Sequence, residues 1–370
     1  MPLPLTLSDA AATALMDFCT ACQFLPRDLV IYVTSACNLR CRHCYLGSSL
    51  LDAAREYPES FLIAVLRQFS PLDRLTVLGG EPLLFRGLMS LLVECQLHAI
   101  AERRITTNLL VWPESVMDLL RSTGFRLVVS LDGGTRETHE RYRGAGTYDP
   151  LLANLRRARS QSDDIEVTTT MSRLNLLEFP MIVGLLADFG ILRLNLHSLS
   201  LQGNALTMAD SLLTACEWAR FRSALVSCVA EDRSSSLLVR VPWLVASDEE
   251  LRTLEETGQY HPHADHSFYS SGKRLVLYPD GHVFVSSENF GSDHHLGVLG
   301  GDTFVPNEAS VSELELYRRE GKTPSDYRPV HRRDRQFPHL LSVSFKKTLR
   351  VDYATIAELS VEAWRTKLAI

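Results

Sequence analysis

Leu29-Val30-Ile31-Tyr32-Val33 runs, through Thr34-Ser35-Ala36, into Cys37-Asn38-Leu39-Arg40-Cys41-Arg42-His43-Cys44-Tyr45. The apolar run reads as a buried strand. Three thiols at CxxxCxxC spacing on the loop after it can hold three corners of an iron-sulfur cube, which leaves the fourth iron without a protein ligand. An open coordination position is what separates a catalytic metal site from a structural one. A zinc site missing its fourth ligand, or three core cysteines, would satisfy the same spacing.

The pattern repeats outward from this stretch. Strand-like runs at Arg74 to Leu78, Arg104 to Thr107, Phe125 to Ser130, Ile165 to Thr170 and Leu192 to His197 alternate with helical patterns near Pro58 to Phe69, Phe85 to His98, Pro113 to Ser122, Asp149 to Ser160 and Glu178 to Phe189. Such alternation predicts parallel βα units. The expected fold class is α/β: a partial (β/α)6 TIM-like barrel over residues 29–206, with its chemistry at the carboxyl ends of the strands, where the cysteines lie. Residues 1–28 are expected to hold a helix capped by Ser8, whose Cys19 and Cys22 read as packing thiols. Residues 207–370 are expected to form a C-terminal α+β extension. Its parts are a long helix from Met208 to Glu231, a strand around Leu237 to Trp243, a polar helix near Ser247 to Thr257 and a loop from Gly258 to Ser271. A β-hairpin from Lys273 to Val285 around Pro279-Asp280-Gly281 follows, then helices near Ser310 to Glu320 and Tyr353 to Lys367.

The 370 residues carry 38 basic and 44 acidic side chains, a net charge of −6. That balance gives no reason to expect nucleic acid or an anionic membrane as partner. The arginine-rich stretch from Tyr327 to Arg335 is local and reads as a solvated face. With no apolar run of spanning length and no secretory signal pattern, a soluble, cytoplasmic protein is expected. The 8 cysteines, three of them crowded and none beyond Cys228, do not suit a secreted disulfide framework.

Cys37, Cys41 and Cys44 followed by Tyr45 resemble the signature of the radical S-adenosylmethionine (radical SAM) superfamily. The resemblance continues through Gly79-Gly80-Glu81-Pro82 at the end of strand two. Thr107-Asn108, Ser130-Leu131-Asp132-Gly133, and His139 through Arg143 to Gly144 resemble its peptide-modifying SPASM/twitch subgroup, and Gly190 to Gly203 before Asn204-Ala205 also fits. The resemblance implies one [4Fe-4S] cluster on Cys37, Cys41 and Cys44, with S-adenosyl-L-methionine chelating the open iron. One-electron cleavage would give a 5′-deoxyadenosyl radical that abstracts hydrogen from a substrate. It further implies that Gly79 and Gly80 bring backbone to the methionine moiety and that Glu81 lies near its ammonium group. Ser130 and Arg143 would contact its carboxylate or ribose, and Tyr45, Asn108 and Asp132 are further cofactor candidates. The alternatives are that Glu81 caps a helix and that Arg143 pairs with a surface acid.

In that subgroup the C-terminal extension binds auxiliary clusters through a cysteine three residues before a glycine and another after a Pro-Asp-Gly hairpin. Here Gly272, Leu275, Pro279, Asp280, Gly281 and Val283 keep the pattern, but the cysteine positions read Tyr269 and Ser286. A cluster-free remnant is therefore expected. The expected substrate is a ribosomally synthesised precursor peptide (a RiPP) that is cross-linked, epimerised or cleaved, with an external one-electron donor. The short segment before the barrel leaves no room for a leader-binding domain, so a separate small leader-binding protein is expected to present the peptide.

A radical epimerase or dehydrogenase of a small metabolite such as an aminosugar is the alternative reading. A remoter one is a metal-dependent hydrolase built on His261-Pro-His263-Ala-Asp265-His266. Cys216 and Cys228 are candidate hydrogen donors and His197 a candidate substrate contact, each weighed against a packing role. Asp293, His294, His295 and the run Gly297 to Gly301 support no specific role.

Overall fold

Along each expected strand, alternate residues turn to opposite sides of the sheet, and the two sides differ in chemistry. The computed structural model describes residues 3–4, 6–22, 25–47, 55–229, 236–244, 274–285, 295–308 and 343–369. The six βα strands form as β1 (Asp28–Tyr32), β2 (Leu72–Leu78), β3 (Ile100–Thr107), β4 (Phe125–Ser130), β5 (Ile165–Met171) and β6 (Arg193–Ser198). Later in the chain come β7 (Ser236–Leu244), β8 (Arg274–Leu277), β9 (His282–Phe284), β10 (His295–Gly300), β11 (Thr303–Pro306) and β12 (Val343–Asp352).

All twelve belong to one open sheet, in the order β11-β10-β9-β8-β1-β2-β3-β4-β5-β6-β7-β12. β8 pairs in parallel with β1, and β7 in parallel with β6, so eight parallel strands surround the lumen. Strands of the C-terminal extension thus continue the barrel at both edges. The antiparallel β9-β10-β11 and β12 flank it.

The outer face is apolar. Leu29, Ile31, Leu75, Val77, Ile105, Leu127, Val129, Ile165, Val167, Leu194 and Leu196 are buried in the principal core, against helices α1 (Asp9–Ala21), α2 (Glu59–Phe69), α3 (Leu88–Gln96), α4 (Glu114–Ser122), α5 (Arg136–Arg143), α6 (Tyr148–Gln161) and α7 (Phe179–Asp188). The Ser8 side chain caps α1 as expected, accepting from Ala10 N at 3.1 Å, and Cys19 packs in the core. Three further helices, α8 (Ala215–Val226), α9 (Tyr353–Ala357) and α10 (Val361–Leu368), close the far side. There Trp364 stacks on Phe179 and donates its indole N–H to Leu176 O at 2.9 Å.

Two helical expectations are corrected. The helix expected from Met208 to Glu231 is a 3₁₀ segment, Gly203–Ser211, followed by the shorter α8. The break is local: Thr214 and Glu217 form a capping box that starts a new helix. The helix expected from Tyr353 to Lys367 divides into α9 and α10, because Ser360 caps a fresh start at 3.1 Å from Ala363 N. The polar helix, the HxHxDH stretch, Tyr269, Gly272, Ser286, Asp293, His294, the helix near Ser310 and the stretch from Tyr327 lie outside the described residues. Among the described residues no helix is long and apolar enough to cross a membrane.

Candidate active site

The loop after β1 is tied down by Tyr142 and Asn204. Arg42 N donates to Tyr142 O of α5 at 2.8 Å, Asn204 N donates to Cys44 O at 2.9 Å, and Asn204 Nδ2 donates to Cys41 O at 3.1 Å. A third anchor, Asn108 just after β3, donates from Nδ2 to Asn38 Oδ1 at 2.8 Å. Glycine is required where two loops cross. Gly203 has φ +56°, and a Cβ there would stand 2.5 to 2.7 Å from Gly47 N, Tyr45 O and Cys44 O. Beneath the loop, Gly80 N and Glu81 N donate to Thr34 O and Ala36 O at 2.7 and 2.8 Å. A Cβ on Gly79 would sit 2.7 Å from Thr34 O, so the end of β2 lies against the cysteine loop only because it lacks side chains there.

This packing opens a cavity of about 330 Å³ at the carboxyl ends of the strands. Cys37, Cys41, Cys44, Tyr45, Gly79, Gly80, Asn108, Ser130, Arg143 and His197 all line it, which brings together most of the residues singled out from the sequence. Glu81 and Asp132 do not line it; both are buried in its wall. The Glu81 carboxylate accepts from Thr107 Oγ1 at 2.6 Å, Asn108 N at 2.8 Å and Leu83 N at 3.1 Å. Burial raises its pKa, with these donors opposing the rise. It therefore pins the ends of β2 and β3 together and caps the turn at Pro82–Leu84.

Asp132 organises the opposite wall. Its Oδ2 lies 2.5 Å from Arg143 Nε and 3.2 Å from His43 Nε2, and its Oδ1 accepts from Thr170 N at 2.7 Å. Burial alone would raise the Asp132 pKa, but Arg143 and His43 outweigh it and hold the carboxyl far below its usual range. The ionised group fixes the Arg143 guanidinium toward the cavity. His43, also a lining residue, was not singled out from the sequence, although an imidazole between two of the three cysteines was signal enough. Cys216 is exposed on α8, and Cys228 is buried in the core; neither lines the cavity.

The donor set fits an iron-sulfur cluster. All three thiols are free and open onto one space, and among the described residues no three His, Cys, Asp or Glu side chains converge on a single ion. Three thiols that share a cavity can hold three irons of a cube and leave the fourth open. Burial pushes the Cys37 thiol up to about 12 and raises that of Cys41, where the Arg143 charge opposes the rise. Cationic partners such as Arg143 suit a site whose ligands bind as thiolates.

Residues 31–182 match the family model of the radical SAM superfamily. Over those residues, about two fifths of its length, the chain is similar to that superfamily. Members of that superfamily use a [4Fe-4S] cluster and S-adenosylmethionine. The chain is 23% identical over 189 residues to the AdoMet-dependent heme synthase of Nitratidesulfovibrio vulgaris, an alignment covering 50% of this chain and 52% of that one. It thus spans about half the length of the curated relatives it matches. In fold it resembles Streptococcus suis SuiB bound to precursor peptide SuiA, with TM-score 0.61, 15% identity and coverage of 75% of this chain and 63% of that one. It also resembles anSMEcpe with bound AdoMet, with TM-score 0.59, 15% identity and coverage of 92% and 96%.

Proposed function

We propose that this radical SAM chain abstracts hydrogen from a ribosomally made precursor peptide, the first step of a cross-link, an inverted centre or a backbone cleavage. The observation that carries the radical chemistry is the single cavity shared by Cys37, Cys41, Cys44, the Gly79-Gly80 backbone and Arg143. When bound, the cluster and S-adenosylmethionine together supply a radical able to take hydrogen from an unactivated carbon. Cys37, Cys41 and Cys44 would hold the cluster, and the Gly79-Gly80 edge with Ser130 and Arg143 would orient the methionine and ribose groups, a guanidinium fork suiting a carboxylate. The wall built on Glu81 and Asp132 keeps those contacts rigid, and the helix-covered barrel excludes water.

The peptide reading is supported by the subgroup-like segments at Ser130 to Gly133 and His139 to Gly144 and by the β8-β9 hairpin. SuiB, which shares the fold, holds a precursor peptide. A separate leader-binding protein and an external one-electron donor belong to the same proposal. The heme synthase relative keeps a second reading in view, a small-metabolite substrate. Reduction of the reconstituted chain with S-adenosylmethionine should release methionine and 5′-deoxyadenosine, and a cognate precursor peptide should raise that yield. Absence of both products from a cluster-loaded chain would sink the radical reading. Stimulation by a metabolite and by no peptide would sink the peptide reading.

A further inference from the structure

The cysteine loop has two faces. Cys37, Leu39, Cys41, His43 and Cys44 line the cavity, whereas Asn38, Arg40 and Arg42 between them are exposed and do not. The segment that turns its thiols inward therefore turns two guanidinium groups outward. Arg40 Nη1 donates to Cys37 O and Leu39 O at 3.0 and 2.9 Å, which leaves the rest of its fork to solvent. Arg42 is anchored through its backbone N on Tyr142 O at 2.8 Å, in the last turn of α5 and next to the exposed Arg141. At the start of the loop, Ser35 N donates to the carbonyl of the exposed Arg55 at 2.8 Å. Leu206, 64% exposed, lies two residues after Asn204, which holds Cys41 O and Cys44 O.

Many arginines elsewhere have carboxylate partners. On the barrel floor Arg274 donates to Asp28 at 3.0 and 2.6 Å, Arg74 donates to Glu102 at 2.5 Å, and Arg104 donates to Glu166. On the outer surface Arg27 pairs with Asp73 at 2.7 Å, Arg121 with Asp118 at 3.0 Å and Arg173 with Glu217 at 2.8 Å. Among the described residues, Arg40, Arg42, Arg55 and Arg141 form no ion pair. In a chain of net charge −6 these cations reverse the sign locally. Unpaired charge of one sign around an exposed apolar side chain suits a protein surface of the other sign, which it steers and orients.

We infer that this outer face of the cysteine loop, with Arg40, Arg42, Arg55 and Arg141 beside Leu206, docks a small acidic electron-carrier protein. The inference deepens the radical reading and rests on it, because that reaction consumes one electron per cleavage and begins at this loop. A carrier seated here meets the same segment that holds the thiols. With a flavodoxin as carrier, one electron passes from its flavin hydroquinone to the oxidised cluster, which leaves flavin semiquinone and the reduced cluster and moves no proton.

The test uses the full, cluster-loaded chain. Oxidised flavodoxin, an acidic protein, is titrated into it calorimetrically at low ionic strength, and flavodoxin hydroquinone is then mixed with it in stopped flow. Flavodoxin should bind, and the basic carrier cytochrome c should not. Arg42→Glu with Arg141→Glu should weaken flavodoxin binding and slow semiquinone formation about tenfold or more, and the gap should narrow as salt is added. The milder Arg42→Gln with Arg141→Gln should give a smaller loss in the same direction. Arg121→Glu with Arg365→Glu makes the same change in net charge on α4 and α10 and should alter neither quantity. Iron per chain and reduction by dithionite are read on every variant, so that a lost cluster is not counted as lost docking. Binding and transfer unchanged in both Arg42 and Arg141 variants, or reduced as much by the α4 and α10 variant, would overturn the surface. Tighter binding of hexaglutamate than of flavodoxin would also overturn it, by assigning the face to an acidic peptide. A chain that dithionite reduces without cleavage of S-adenosylmethionine would refute the radical reading, while a tenfold loss of flavodoxin binding in the same chain would still uphold the surface.

Discussion

At the rim of the lumen, the chemical groups are placed mainly by backbone. The cysteine loop is held by peptide hydrogen bonds to Gly80, Glu81, Tyr142 and Asn204, and its crossings need the missing side chains of Gly79, Gly80 and Gly203. At the floor they are placed by charge: arginines and carboxylates on neighbouring strands hold one another across the sheet. Asp132 is where the two schemes meet, a buried charge that organises the rim. The difference teaches where substitutions are tolerated. A backbone scaffold fails when atoms are added, and a charge scaffold fails when one partner is removed.

The largest effect should come from Asp132→Asn, which strands the buried Arg143 guanidinium. Removing one member of a buried pair costs on the order of 3 to 5 kcal/mol, to be read as a shifted urea midpoint, and a shift under about 1 kcal/mol would show that Asp132 does not organise the wall. Arg104→Gln should cost about 3 kcal/mol by leaving Glu166, which is 3% exposed, with Arg126 at 4.0 Å in place of its close partner. Adding Glu166→Gln should restore most of that loss, and a double-mutant cycle with no coupling would break the charge side of the comparison. Gly203→Ala should cost about 2 kcal/mol from its positive φ and its approach to the cysteine loop. It should also reduce the iron retained per chain; full retention would break the backbone side.

The rim was legible in the sequence because its signals are local. Cysteines, glycines and Ser130 each follow a strand whose apolar run announces it, and the six βα strands fall where alternation placed them. The floor was equally local in pattern but went unread. Arg74-Leu75-Thr76 and Arg193-Leu194-Asn195-Leu196-His197 alternate polar with apolar residues in strands that a parallel sheet would normally bury on both faces. That alternation marks a polar lumen.

The late strands were hidden for a different reason. β12 pairs with β7 across about a hundred residues, with Leu349 opposite Val239 and Val351 opposite Leu237, and no local pattern encodes so distant a register. β10 reads His295-Leu-Gly-Val-Leu-Gly300, poor in strand-forming residues at two of its six positions. α5 is mostly charged and lacks an apolar stripe, so only its Thr135 cap and its place between β4 and α6 give it away.

The central claim is that Cys37, Cys41 and Cys44 hold one cluster and that it stands alone. Iron and acid-labile sulfide counted in the anaerobically reconstituted chain test it directly. The account predicts about four of each per chain, with a brown chromophore, and none when Cys37→Ala, Cys41→Ala and Cys44→Ala are combined. A second or third cluster's worth of iron, or one zinc with no sulfide, would contradict it.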